Sequence, residues 1–294
     1  MREWIPVRYK SADDRLQLFA RDYPADGPTL LLMHGLTRNS ADFEPLISHL
    51  DERFRLIVPD QRGRGLSDPD PDPANYRLDV YASDMFALMG KLDIGRAGLI
   101  GTSMGGLMAM MMGTTAPAMV SCIVLNDIGP QVEQEGLDRI RGYVGPVGTF
   151  GSWGEAAQAC AEINGDAFPS WGDADWLAFA HRTCTRTASG QIRFAYDPAI
   201  AGQEQESDGG DDEHGAGLVP ADLWPLWDAL DPLPILALRG ALSDLLSAQT
   251  VATMAQRHSG PFRAVEIAGV GHAPMLDEAA ARAAIGSFLQ RHAG

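Results

Sequence analysis

Gly101-Thr102-Ser103-Met104-Gly105 is the stretch on which the reading of this chain turns. Ahead of it, Ala97-Gly98-Leu99-Ile100 is a short apolar run suited to a buried strand. Behind it, Leu107, Met108, Met110, Met111 and Met112 open a helix relieved only by small residues. A strand that turns at once into a helix forces the residue between them into a strained backbone conformation. Glycines two before and two after it remove the side chains that would collide. The serine hydroxyl is then held out at the carboxyl end of a sheet, beside the positive end of a helix. G-x-S-x-G is common by chance, so its weight comes from these flanks.

A serine at neutral pH is a poor nucleophile until a base takes its proton, and the base must be oriented by a carboxylate. Among seven histidines, His272 has the right setting. It follows the strand-like Arg263-Ala264-Val265-Glu266-Ile267 and sits in the tight turn Gly269-Val270-Gly271-His272-Ala273-Pro274. A helix is predicted to open at Asp277, with Ala281, Ile285, Phe288 and Leu289 at helical spacing. The expected acid is Asp244, just past the apolar run Ile235-Leu236-Ala237-Leu238. The plainer reading of Asp244 is a helix N-cap in Ser243-Asp244-Leu245. Leu30-Leu31-Leu32-Met33 is a further strand ending in His34-Gly35-Leu36. There the backbone N–H of Leu36, with that of Met104, is expected to face an oxyanion. His34 precedes the elbow and is expected to prop this loop by hydrogen bonding.

The chain has 294 residues, 45% hydrophobic and 21% charged, enough for one large α/β domain with an insertion. Its net charge of −16 argues against nucleic acid or an anionic membrane as partner. It also disfavours anionic substrates unless a local basic patch overrides it. Cys122, Cys160 and Cys184 are too sparse for a disulfide framework and lack zinc-ligand spacing. The N-terminal Met1-Arg2-Glu3-Trp4-Ile5-Pro6 lacks the apolar stretch of a signal peptide, and no apolar run reaches the roughly 18 residues of a membrane span. The expectation is a cytoplasmic protein with a small-molecule substrate and no metal or organic cofactor. Its oligomeric state is left open.

Along the chain, Val7-Arg8-Tyr9 and Leu16-Gln17-Leu18-Phe19-Ala20 read as an opening hairpin. Apolar runs recur at 30–33, 55–58, 97–100, 122–125 and 235–238, separated by helix-like stretches. In one of these, Tyr81, Met85, Leu88, Met89 and Leu92 mark a single buried face. Short apolar strands alternating with helices predict an α/β fold with a mostly parallel sheet covered on both sides. Residues 131–222 break that rhythm and are too long for a loop. They are expected to form a helical cap inserted into a core of 1–130 and 223–294, with Trp153, Trp171 and Trp176 either lining a substrate pocket or building the cap's own core. Within the insertion, the acidic residues of 204–213 form a solvated run whose spacing does not match a calcium loop. Trp224 and Trp227 are expected to close the insertion back onto the core.

With these residues in place, the chain resembles the α/β-hydrolase superfamily, and most of all its small bacterial esterases, lactonases, haloperoxidase-like proteins and carbon–carbon bond hydrolases. His34-Gly35 matches the oxyanion loop, and Asp60-Gln61-Arg62-Gly63-Arg64-Gly65-Leu66-Ser67 the D-x-R-G-x-G-x-S turn. Gly101 to Gly106 match the nucleophile elbow, Asp244 the acid and Gly271-His272 the base. Some relatives carry the acid one strand earlier, which makes Asp127 in Asn126-Asp127-Ile128-Gly129-Pro130 a competitor, its other reading being a hinge into the cap. The resemblance implies hydrolysis of a carboxylic ester or lactone through an acyl-enzyme. Its alternative is cleavage of a carbon–carbon bond in a diketone-type aromatic breakdown product. That substrate is anionic, with Arg62, Arg139, Arg182 and Arg186 as possible recognition groups. A serine at 103 speaks against the aspartate-dependent dehalogenases and epoxide hydrolases of the fold.

Overall fold

The computed structural model describes residues 2–145, 148–201 and 222–294. The opening hairpin forms as expected, with β1 (Ile5–Lys10) antiparallel to β2 (Gln17–Tyr23). The apolar runs become β3 (Thr29–Met33), β4 (Arg55–Asp60), β5 (Ala97–Thr102), β6 (Val120–Asn126) and, further along, β9 (Ile235–Gly240) and β10 (Phe262–Ile267). These eight strands make one sheet in the order β1-β2-β4-β3-β5-β6-β9-β10. All pairs are parallel except β1 with β2 and β2 with β4. Every residue of β5 and β6 is buried, so both faces of the sheet centre are covered.

The connecting helices are α1 (Glu44–Ile47), α2 (Leu78–Lys91) and α3 (Met104–Thr115). Tyr81, Met85, Leu88 and Met89 are buried on α2, the face the sequence spacing predicts, and α2 packs on α3. After β3 the chain moves outward to β4, then returns to the other side of β3 as β5. That reversal opens a crevice between the carboxyl ends of β3 and β5, the place where ligands bind in open α/β sheets.

The inserted segment carries α4 (Gln134–Tyr143), α5 (Trp153–Asn164), α6 (Asp173–Thr183) and a small hairpin of β7 (Cys184–Arg186) and β8 (Ile192–Phe194). It is tied to the core through backbone bonds: Gly271 N–H to Ala167 O at 2.7 Å, Gly65 N–H to Ala195 O at 2.8 Å and Asp197 N–H to Gly63 O at 2.7 Å. The acidic run at 204–213 lies outside the described residues. The chain ends with α7 (Trp224–Asp228), α8 (Ala248–Arg257) and α9 (Ala279–His292). The last helix starts two residues later than predicted, with Glu278 at its N-cap. Trp227 is fully buried against Phe262 and His258, whereas Trp224 carries the Arg257 guanidinium on its ring.

Candidate active site

Ser103 stands between β5 and α3 with φ 51° and ψ −117°, a left-handed backbone that a non-glycine residue adopts at a cost of about 1–3 kcal/mol. The flanking glycines are what make it feasible. A Cβ on Gly101 would lie 2.2 Å from Gly105 O, and one on Gly105 only 2.0 Å from Met33 O. The strained residue is held by its own backbone: its N–H donates to Asn126 O at 3.0 Å, and its carbonyl accepts from Gly106 N–H at 2.8 Å.

His272 hangs in the loop after β10, with Nε2 2.9 Å from Ser103 Oγ. Its Nδ1 lies 2.8 Å from Asp127 Oδ2. A carboxylate at Nδ1 fixes the proton there and leaves Nε2 as an acceptor facing the hydroxyl. The carboxylate that meets His272 is therefore that of Asp127, whereas the sequence reading expected Asp244 there. Asp127 is fully buried at the end of β6, the immediate neighbour of β5, whereas Asp244 follows β9, one strand further out. The turn after β9 reaches Asp127 through two further hydrogen bonds. Gly240 N–H donates to Asp127 Oδ1 at 2.7 Å and Ser243 Oγ–H to Oδ2 at 2.6 Å.

Asp244 is turned to Arg139 of α4, which grips it with Nε at 2.5 Å and Nη2 at 2.9 Å. Burial works to raise the Asp244 pKa, but the hydrogen bonds and charge of Arg139 outweigh it and hold the carboxyl below its ordinary value. Glu133 N–H to Leu245 O at 2.9 Å and Gly136 N–H to Asp244 O at 3.1 Å continue the same seam between α4 and the core.

Leu36 and Met104 both line the cavity beside Ser103. As the first residue of α3, Met104 has an N–H without an intrahelical partner. One side chain that sequence reasoning did not single out touches both residues. Buried Arg64 donates through Nε to Leu36 O at 2.9 Å, and its Nη2 lies 3.9 Å from Met104 Sδ. Tyr81 Oη and Arg62 O fix its Nη1 at 2.9 and 2.7 Å. His34 props the same loop, as expected: Nδ1–H donates to Gly35 O at 2.7 Å and Nε2 accepts from Gln61 N–H at 3.1 Å. Burial lowers its pKa to about 3, so it stays neutral.

The cavity over Ser103 holds about 870 Å³ of empty space up to its open mouth. Core residues Leu36, Ile128 and Met275 line it with Val132, Leu137 and Ile140 from the insertion. The tryptophans are not among its walls. Trp171 stacks on Phe168 and meets Trp176 and Phe179 edge-on, and Trp153 lies against His181. They build the insertion's own core, while the shorter apolar side chains of α4 line the cavity with Ser103. Of the arginines considered as anion receptors, Arg62 is buried between Asp84 and Asp70, Arg139 holds Asp244, and Arg186 bonds Gly190 O. None of these, nor Arg182, lines the cavity; Arg38 does. Among the described residues no His, Cys, Asp and Glu groups cluster as metal ligands would, and no helix is long and apolar enough to cross a membrane.

Comparison with known proteins agrees with this architecture. Residues 28–195 match the family model described as alpha/beta hydrolase fold. A 3-hydroxybutyrate-oligomer hydrolase of Cupriavidus necator is 32% identical over 254 residues, covering 85% of this chain and 84% of its own. The crystal structure of an alpha/beta hydrolase from Novosphingobium aromaticivorans superposes with a TM-score of 0.89 at 43% identity, over 99% of both chains. That of E-2-(acetamidomethylene)succinate hydrolase does so with a TM-score of 0.79 at 28% identity, over 98% of this chain and 100% of that one. By fold, by family match and by its relatives, this chain belongs to the α/β-hydrolase family and is a hydrolase of that fold.

Proposed function

We propose that the protein is a serine hydrolase that cleaves a carboxylic ester or lactone through an acyl-enzyme, with Ser103 as nucleophile, His272 as base and Asp127 as the acid that orients it. The observation that carries this reading is the unbroken hydrogen-bonded line from Ser103 Oγ through His272 to the buried Asp127 carboxylate. In this reading Ser103 Oγ attacks the ester carbonyl carbon while its proton passes to His272 Nε2. The N–H groups of Leu36 and Met104 receive the charge that develops on the carbonyl oxygen. Collapse breaks the bond to the leaving alcohol, which takes the proton from Nε2. Water then repeats the attack on the acyl-serine. The inserted segment serves as a cap whose α4 walls the site and keeps bulk water from it. The match to a 3-hydroxybutyrate-oligomer hydrolase supports the choice of bond, since units of a hydroxy acid joined head to tail are linked by esters. The three cysteines, all buried thiols, suit a reducing compartment, and we read the protein as cytoplasmic.

A side-by-side assay of p-nitrophenyl esters, lactones and a vinylogous diketone, with wild type and Ser103→Ala, tests the reading. Ester or lactone turnover that disappears in Ser103→Ala is the expected result. Turnover of the diketone alone would replace it with carbon–carbon bond hydrolysis on the same residues.

A further inference from the structure

The main cavity has a small side chamber that shares Thr37, Arg38, Tyr143 and Asn164 with it. Ile163, Phe179 and Phe194 form the apolar part of its wall. Two polar features stand out against that wall. Arg38 stacks on Phe179 with its guanidinium carbon 4.0 Å from the ring centroid, and commits Nη1 to Asp42 at 2.8 Å. Asp42 lines the main cavity and not the chamber, and a guanidinium has five N–H donors. Thr183, at the end of α6, is 4% exposed, and its Oγ1 has no hydrogen-bond partner among the described residues. A buried hydroxyl left unmatched is costly unless something else fills the place.

The chamber is also close to the chemistry. A Cβ placed on Gly35 would lie 3.8 Å from Ser103 Cβ and 3.9 Å from Arg38 Cγ, so the two side chains flank one glycine. A group seated against Arg38 would therefore lie close to a carbonyl at Ser103. Thr37, Tyr143, Asn164 and Tyr196 complete the wall. Beside Ile163, Phe179 and Phe194, the Arg38 guanidinium and the unpartnered Thr183 hydroxyl favour an anionic oxygen acceptor, because a charge-assisted hydrogen bond is strongest where water is excluded.

We infer that the side chamber is a carboxylate subsite: the substrate of this hydrolase is an ester that also carries a free carboxylate, held by Arg38 and Thr183. The inference rests on the ester-hydrolase reading above for its reaction, and its test separates the two.

Two probe pairs place the carboxylate on either side of the scissile bond: monomethyl glutarate against dimethyl glutarate, and 3-acetoxybutyrate against its methyl ester. In at least one pair the anion is expected to have the higher kcat/KM, by about ten- to a hundredfold, the range of one or two hydrogen bonds to a charged group. Arg38→Met should erase most of that ratio and Arg38→Lys restore part of it. Thr183→Val, a near-isosteric change, should lower it severalfold and serves if the Arg38 variants fold poorly. Neutral esters cleaved through Ser103 with no preference for the anion in either pair would overturn the subsite and leave the hydrolase reading standing. Calorimetric binding of monomethyl glutarate to Ser103→Ala reads the chamber without turnover. Adding Arg38→Met or Thr183→Val should weaken it, tenfold or more for the arginine; equal binding in all three proteins would also overturn the proposal. Arg38-dependent binding with no ester cleaved by wild type would keep the subsite and remove the hydrolase reading.

Discussion

Asp127 and Asp244 both stand at the carboxyl edge of the sheet, and their partners differ. Asp127 accepts from His272, Gly240 and Ser243, whereas Asp244 is held by Arg139. Asp127→Asn should therefore lower kcat by about 10⁴-fold, because an amide at that place favours the wrong imidazole tautomer. Asp244→Asn, measured on the same neutral ester, should lower it by less than about tenfold, through loosening of the α4 seam. Equal losses would return Asp244 to the relay. His34 gives a second prediction at this scale, on stability. Unfolded, it takes up a proton below its ordinary pKa of 6.5; folded, only below about 3. Between those values the unfolded state binds more protons, so the His34 contribution is complete above 6.5 and is lost as pH falls toward 3. Urea unfolding at pH 7 and pH 5 should show a stability difference about 2 kcal/mol smaller in His34→Gln than in wild type. An unchanged difference would mean that His34 is protonated in the folded loop.

Among the elements of the insertion, α4 lines the cavity over Ser103, through Leu137 and Ile140. Ile140→Ala should shift relative kcat/KM toward longer acyl chains, whereas Trp171→Ala should lower the melting temperature and leave the ranking of substrates as it was. A ranking that follows Trp171 instead would put the aromatic cluster in the pocket. The strands and the elbow were legible because their signals are local: apolar runs of strand length, and glycines placed where a Cβ would strike backbone. The choice of acid was not. Asn126-Asp127-Ile128-Gly129 and Ser243-Asp244-Leu245 both read as strand-end loops. What separates them is sheet order and an arginine 105 positions away along the chain. The role of the tryptophans was left open in the same way. Their size suggested a pocket wall, but size equally suits a small core, and only the packing of α5 on α6 shows which applies. Arg38 sat unremarked in the loop after β3 because Phe179, on whose ring it stacks, belongs to another element.

At the scale of the whole molecule, a net charge of −16 surrounds a cavity proposed to receive an anion. Long-range repulsion should slow the encounter at low salt and fade as the screening length falls from about 30 Å at 0.01 M to about 8 Å at 0.15 M. For monomethyl glutarate kcat/KM should rise roughly twofold or more over that range, while dimethyl glutarate stays level. A fall for the anion would mean that local attraction outweighs the field of the whole protein. Both expectations depend on Ser103 being the nucleophile, and intact mass spectrometry after treatment with a fluorophosphonate ester tests that directly. The account predicts one adduct per chain, located at Ser103, absent from Ser103→Ala and formed at least about a thousandfold more slowly in His272→Ala. No adduct on the wild type, or equal labelling of Ser103→Ala, would contradict it.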